Sequence, residues 1–295
     1  SYVLPILQNF KQNATHINRH ISVLIMVPTR ELAVQVNEVI DQFKADLPNK
    51  IKNKAVFGGV SINPQMKGMM GVEILVATPG RLLELIEKNA LHLNSVRTLV
   101  LDEADKMLNM GFKEEMDRVI ALLPKERQNL LFSATLSEDV KAINQVILNQ
   151  PEVIKLESDD ENLDNIHQVA YRVTEENKGP LLRYLVNRKP KQQMLVFTSS
   201  HRKADNVGHK LRKNGIDCEA IHSKKSQGAR TDALADFKAG RIQVLIATDL
   251  LSRGIDIDQL PCVINYELPR SPKDYVHRIG RTGRAEAEGE AISFI

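Results

Sequence analysis

The 295-residue chain has no tryptophan and only two cysteines, Cys218 and Cys262. They lie far apart and neither belongs to a Cys-x-x-Cys pair, which disfavours a zinc site or a disulfide framework and fits a reducing compartment. Aromatic residues are scarce, with eight Phe and five Tyr, which counts against RNA modules that grip bases by stacking. Long apolar runs are missing: the longest are five residues, Val23–Val27 and Val119–Leu123, against the roughly 20 that a spanning helix needs. No basic-then-apolar signal segment is present. Charge of one sign is lacking as well. Forty Lys and Arg stand against 37 Asp and Glu, a formal net charge of +3, which permits a nucleic-acid partner without demanding one.

What is present is an ordinary soluble composition, 42% hydrophobic and 26% charged, over a length that predicts two domains at about 150 residues each. Short apolar, β-branched runs alternate with helix-period stretches. The runs Ser22–Val27, Val72–Ala77, Arg97–Leu101, Asn129–Phe132 and Val153–Leu156 read as one set of strands. Gln168–Val173, Met194–Thr198, Cys218–His222, Gln243–Ala247, Cys262–Glu267 and Ala291–Ile295 read as a second set. Between strands, Leu32, Val36, Ile40 and Phe43 recur at helical spacing. Such alternation predicts an α/β fold with parallel sheets covered on both faces. Glu157–Asp164 carries five carboxylates in eight residues; it reads as a solvated linker, or else as a charged loop inside one domain. The expected layout is a first domain over 1–156, a linker over 157–166 and a second domain over 167–295.

The strand pattern Arg97–Leu101 ends in Asp102-Glu103-Ala104-Asp105. At the carboxyl end of a strand in an open α/β sheet, an Asp can hold Mg²⁺ beside nucleotide phosphates and a neighbouring Glu can orient or deprotonate water. The same carboxylates also suit the positive end of a following helix, with no metal needed. The other segments decide the weighting. Pro28-Thr29-Arg30-Glu31-Leu32-Ala33, Thr78-Pro79-Gly80-Arg81 and Ser133-Ala134-Thr135 each follow a strand. Later come Ala247-Thr248-Asp249, Arg253-Gly254-Ile255-Asp256 and His277-Arg278-Ile279-Gly280-Arg281-Thr282-Gly283-Arg284. In this order and at these separations the segments resemble the DEAD-box RNA helicases of helicase superfamily 2, over essentially the whole chain.

The resemblance implies two RecA-like domains that use ATP and Mg²⁺ and bind RNA. Asp102 would anchor the hydrated metal and Glu103 position the hydrolytic water. Asp105 would bond to the loop carrying Ser133 and Thr135. Arg281 and Arg284 would be arginine fingers, Asp256 would hold the ribose, and His277 would link its motif to the tetrad. Ser271-Pro272 reads as an N-cap followed by Pro at N1, so a helix is expected to run to about Ile279. RNA contacts implied are Arg30, Gly59, Thr78, Gly80 and Arg81, then Thr198, Arg230 and Thr248, with Gly254 allowing close approach. Small residues and a few arginines match recognition of a sugar–phosphate backbone without regard to base sequence.

A phosphate-cradling Gly-x-x-x-x-Gly-Lys-Ser/Thr loop is not among these residues; no Gly-Lys dipeptide occurs. The adenine-recognising Gln segment of the family is not seen either, and Ser1–Phe10 resembles the helix that follows such a loop. Two expectations follow: an incomplete helicase core, with a first domain short at its N-terminus and little ATPase activity by itself, or a non-catalytic RNA-binding clamp. The compact linker and the lack of basic tails add the expectation of a bacterial, cytoplasmic protein.

Overall fold

The computed structural model describes residues 2–12, 20–45, 47, 50–135, 140, 143, 150–155, 163–249, 260–283 and 288–295. The chain divides into two compact units, Ser1–Val153 and Ile154–Ile295.

In the first unit, α1 (Val3–Gln12), β1 (Val23–Met26), α2 (Arg30–Lys44), β2 (Asn53–Val56), α3 (Asn63–Lys67), β3 (Ile74–Ala77), α4 (Pro79–Glu87), β4 (Thr98–Leu101), α5 (Ala104–Asn109), α6 (Lys113–Ala121) and β5 (Gln128–Leu131) follow in order. The strands form one parallel sheet ordered β2-β3-β1-β4-β5. Both faces of the central strand are covered, so β1 is buried at every residue. Leu24 and Met26 pack into one core cluster with Leu82, Leu85, Met116 and Val119. Ile25 and Val23 point the other way, toward Ile6, Leu7, Val36 and Ile40. An apolar run buried on both faces follows from parallel strands whose crossover helices flank the sheet.

The second unit holds β6 (Ile166–Tyr171), α7 (Glu175–Arg188), β7 (Met194–Thr198), α8 (His201–Lys213), β8 (Cys218–Ile221), α9 (Gln227–Lys238), β9 (Val244–Thr248), β10 (Cys262–Asn265), α10 (Pro272–Ile279) and β11 (Gly289–Phe294). Its sheet is again parallel, ordered β6-β11-β10-β7-β9-β8. Met194 and Val196 join the side of Leu182, Val207 and Leu211. Leu195 and Phe197 join that of Ala233 and Phe237. The helix expected after Ser271 spans Pro272–Ile279, with the Ser271 hydroxyl accepting from the Asp274 amide at 3.1 Å.

Two expectations about elements are corrected. Residues 153–155 form no strand; Val153 is 63% and Ile154 80% exposed, so this apolar pair lies at the unit boundary rather than in a sheet. The strand Asn53–Val56 went unread, because Asn53 and Lys54 give it the polarity of a sheet edge. Most of the acidic stretch expected as a linker, 156–162, lies outside the described residues; Leu163–Asn165 forms a 3₁₀ turn. Both cysteines are free and buried, and burial pushes their thiols up to about 11 at Cys218 and about 12 at Cys262. Neither is a ready nucleophile. Among the described residues, no helix is long and apolar enough to cross a membrane.

Candidate functional site

The carboxylate tetrad lies where β4 ends. The Asp102 amide still donates to Met26 of β1 at 3.0 Å, which fixes the side chain at the carboxyl edge of the sheet. One Asp102 oxygen accepts from the Glu103 amide at 2.9 Å and the other from the Tyr2 hydroxyl at 2.8 Å. Tyr2, a residue absent from the sequence-level site, is 8% exposed, and its ring lies 5.1 Å from that of Phe132 at the end of β5. Burial raises the Asp102 pKa, and the neighbouring Glu103 charge adds to the rise while the Tyr2 hydrogen bond opposes it. A half-buried carboxylate whose charge is poorly solvated is a fitting seat for a hard cation, because Mg²⁺ is held by one or two carboxylates plus water and phosphate. The two accepted hydrogen bonds leave each oxygen a lone pair for that purpose.

This environment carries a testable consequence. A carboxyl whose folded pKa lies above its unfolded value favours folding below the unfolded pKa, and that contribution is lost as pH rises through the folded pKa. Asp102→Asn is therefore expected to melt above the parent at neutral pH without nucleotide or Mg²⁺, with the gap closing in acid. Scanning calorimetry across pH checks it; a lower melting temperature at neutral pH would contradict the burial argument.

Glu103 adopts φ 50°, ψ 48°, the left-handed region, immediately before α5. The bend is held on both sides: the Ala104 amide donates to Phe132 at 3.1 Å, and Lys106, itself buried, pairs with the Glu103 carboxylate at 2.9 Å. Asp105, in the first turn of α5, accepts from the Thr135 hydroxyl at 2.8 Å. The Ser133 hydroxyl closes the same loop by donating to the Thr135 carbonyl at 2.7 Å. Asp102, Glu103, Asp105, Ser133 and Thr135 thus form one connected group at the ends of β4 and β5.

A second group gathers at the ends of β1, β2 and β3. Thr29 caps α2 by accepting from the Leu32 amide at 3.3 Å, so Arg30 opens that helix. The Arg30 guanidinium lies against Gly59, where φ is +75° and any β-carbon would overlap it. Arg81, 6% exposed, donates to the Val60 carbonyl at 2.8 Å and pairs with Glu84 at 2.9 Å. Its Nη1 is buried without a hydrogen-bond partner. The Gln65 amide spans both backbone groups of Phe57, at 3.0 and 3.1 Å, and so sets where this loop leaves β2. Thr78 precedes Pro79 at the start of α4, and Gly80 has open space where a side chain would stand. Arg30, Gly59, Thr78, Gly80 and Arg81 are brought together around a single loop.

In the second unit, Thr198 and Thr248 are register partners at the ends of β7 and β9. Thr198 is fully buried, backbone included, and its hydroxyl donates to the Ser200 carbonyl at 3.4 Å. The next residue, Ser199, donates through amide and hydroxyl to Glu267 at 2.7 and 2.6 Å, and Lys203 meets the other Glu267 oxygen at 2.9 Å. Burial pushes the Glu267 pKa up, but these contacts outweigh it and hold it low. Arg230, 4% exposed in the first turn of α9, bonds Gln227 at 2.5 Å beneath the Ser226 cap.

His277 and Arg281 belong to α10 and the turn after it. Their placement depends on Arg278, which the sequence-level site omitted. Arg278 is 3% exposed and holds Asp249 with two bonds, at 2.5 and 2.8 Å. It also donates to Asn265 at 3.1 Å and to the Glu267 carbonyl at 2.6 Å, with its guanidinium 4.9 Å from the Phe197 ring centroid. Beyond it, the Leu260 amide donates to the Arg281 carbonyl at 3.0 Å, and Thr282 bonds the Leu260 carbonyl. Gly283, at φ +67°, packs where a β-carbon would strike Ile166. Arg278→Ala leaves Asn265 and the Glu267 carbonyl short of a charged donor, and is expected to lower stability by about 3 kcal/mol. Urea unfolding measures it, and a loss within 0.5 kcal/mol, the ordinary range for surface changes, would contradict the assignment. Gly254, Asp256 and Arg284 lie outside the described residues.

Comparison with known proteins bears on both units. A family model described as DEAD/DEAH box helicase matches residues 1–143, and one described as helicase conserved C-terminal domain matches 177–286. The chain is 38% identical over 296 residues to the ATP-dependent RNA helicase CshA of Listeria monocytogenes, covering 100% of this chain and 56% of that protein. It is 40% identical over 297 residues to the DEAD-box ATP-dependent RNA helicase CshA of Streptococcus pneumoniae, covering 55% of that protein. The chain thus spans about half the length of the curated relatives it matches. Among solved structures, S. cerevisiae Dbp5 bound to RNA and ADP BeF3 matches with a TM-score of 0.83 at 30% identity, over 100% of this chain and 76% of that one. A DEAD box protein from Methanococcus jannaschii is 37% identical over 100% of this chain and 78% of that one, with a TM-score of 0.52. The two parallel-sheet units are RecA-like, and the chain belongs to the DEAD/DEAH box helicase family.

Proposed function

We propose that the chain is the core of an ATP-dependent RNA helicase, which locally unwinds RNA duplexes or remodels RNA–protein complexes by ATP-driven domain closure. The observation that carries this reading is the connected group at the ends of β4 and β5. A half-buried carboxylate, Asp102, precedes Glu103 in a held left-handed bend, and Asp105 is tied to the Ser133–Thr135 loop. On this reading Asp102 holds the Mg²⁺, which when bound supplies charge neutralisation at the phosphates. Glu103 orients and accepts a proton from the attacking water. Arg281 and Arg284 add positive charge at the transferring phosphoryl group. Asp256 serves the ribose and His277 the link between motifs.

RNA lies along Arg30, Gly59, Thr78, Gly80 and Arg81 on one unit, and Thr198, Arg230, Thr248 and Gly254 on the other. Backbone amides, small residues and arginines suit phosphate and 2′-hydroxyl contact, so base sequence is not read and RNA is preferred to DNA. ATP and RNA favour the same closed state, so each raises the affinity for the other by the same factor. The test is phosphate release by the full-length protein with and without RNA. Stimulation by RNA but not by DNA of the same sequence supports the reading. RNA binding with no ATP hydrolysis would instead support the non-catalytic clamp.

A further inference from the structure

The overall charge of the chain is nearly balanced, but one stretch is not. From Arg183 to Lys213 there are nine Lys and Arg against a single Asp. These residues run through the second half of α7, the loop to β7, and α8. The buried face of α8 is Ala204, Val207, Gly208 and Leu211. Its opposite stripe, Arg202, Asn206, His209, Lys210 and Lys213, is exposed. On α7, Leu182, Leu185 and Val186 face the core while Arg183, Tyr184, Asn187 and Arg188 face out. The two stripes are joined physically, since Arg183 donates to the Asn214 side chain at 2.8 Å and Asn214 donates to the Lys210 carbonyl at 2.8 Å.

Lysines and arginines near helix C-termini complement the helix dipole, and that accounts for some of this charge. It does not account for all of it. Arg183 precedes the last turn of α7 and Arg202 stands at the start of α8. Some surface cations elsewhere meet carboxylates, as Lys44 does Asp41 at 2.5 Å and Arg118 does Glu87 at 2.8 Å, while others, such as Lys113 and Lys125, stand singly rather than in a cluster. Among the described residues, no carboxylate lies within ion-pair distance of Arg183, Arg188, Lys210 or Lys213. In a chain poor in aromatics, Tyr184 is 55% exposed in their midst and carries the Arg188 guanidinium 5.7 Å from its ring centroid. An exposed aromatic among unneutralised arginines and lysines is the composition of a nucleic-acid face.

Apart from Arg202, its cations lie away from the strand-end track. In a parallel sheet the flanking helices run back toward the strand N-termini, so the ends of α7 and α8 lie where β7 and β8 begin. Thr198 and Thr248 stand at the opposite edge. Five-residue β7 spans about 16 Å at ~3.3 Å per residue, so one nucleotide does not touch both.

We propose that the α7–α8 face is a second RNA-contact surface, which grips the phosphates of a duplex or folded segment flanking the strand held at the strand ends. The proposal rests on the RNA reading above. The test uses the full chain, a short single-stranded RNA, and the same strand as the overhang of a duplex of about 16 base pairs, the span of one duplex-binding module. Affinities are measured over a salt series for the parent and for Arg183→Gln/Lys210→Gln/Lys213→Gln. The variant is expected to bind the overhang duplex about tenfold more weakly, with the slope of log K against log salt reduced by roughly one per lost contact. Its affinity for the short single strand should stay unchanged. Equal affinity and slope for parent and variant on the overhang duplex would overturn the second surface, as would an acidic peptide that binds this face while RNA affinity is unaffected. Failure of the parent to bind either RNA would instead bring down the RNA reading itself.

Discussion

Glu103→Gln in the full-length protein is expected to lower RNA-stimulated kcat by about 10²–10⁴-fold, the range a positioned general base contributes. The substitution is nearly isosteric. Its amide oxygen can still accept from Lys106, which meets Glu103 at 2.9 Å, so the bend before α5 stays intact. What is lost is the ability to take a proton from water. Because Asp102 and its Tyr2 and amide contacts are untouched, nucleotide and RNA affinity should hold within a few-fold. The variant is then expected to bind both ATP and RNA while hydrolysing ATP only slowly. Phosphate release gives the rate, and RNA binding with saturating ATP gives the affinity. An unchanged kcat would remove Glu103 from the chemistry and favour the clamp.

The second large effect is expected at Arg281. An arginine that meets a transferring phosphoryl group contributes about 10³–10⁵ in rate, so Arg281→Ala should reduce kcat by at least about a thousandfold. The backbone there is fixed independently of the side chain, through the Leu260 amide and the Thr282 hydroxyl. Arg281 is half-buried, so some stability is lost, but the loss should stay well below that of Arg278→Ala, whose guanidinium makes four hydrogen bonds. Arg281→Lys should recover little, because an ammonium does not reproduce the planar fork. The contrast with Arg278→Ala is the diagnostic: three residues earlier, truncation destabilises the domain. If both variants unfold alike, Arg281 is structural; if Arg281→Ala hydrolyses ATP at the parental rate, it is no finger.

The parts of the molecule that could be read in advance are those where local pattern and tertiary role coincide. Val23–Met26 and Met194–Phe197 are apolar throughout because both sheet faces are covered, and a continuous apolar run of this length between turn residues has few other uses. The Ser271 cap and Pro272 specify their helix by chemistry confined to one turn. Asn53–Val56 escaped notice because an edge strand has only one neighbour and tolerates polar residues. Val153 and Ile154 misled for the converse reason, since β-propensity without a partner strand makes no strand. Within the site, the bond from Thr135 to Asp105 joins two motifs that were expected to meet. The one from Tyr2 to Asp102 spans 100 positions and leaves no periodic trace. Arg278 and Asp249 were visible as members of quoted segments, but an arginine's reach does not reveal which acid it will choose. Their pairing at 2.5 and 2.8 Å emerges only when β9 and α10 are packed on one sheet.

The backbone at Glu103 has a bearing on how this protein can be improved. A left-handed residue other than glycine costs roughly 1–2 kcal/mol, and Glu103 occupies that region at φ 50°. Glycine, or asparagine to a lesser degree, would relieve it. A library screened for heat resistance alone would thus be drawn to position 103 and, on the role proposed for Glu103, would return sturdier proteins without ATP hydrolysis. Any consensus or directed-evolution campaign on this core should hold that codon constant and search for rigidity elsewhere.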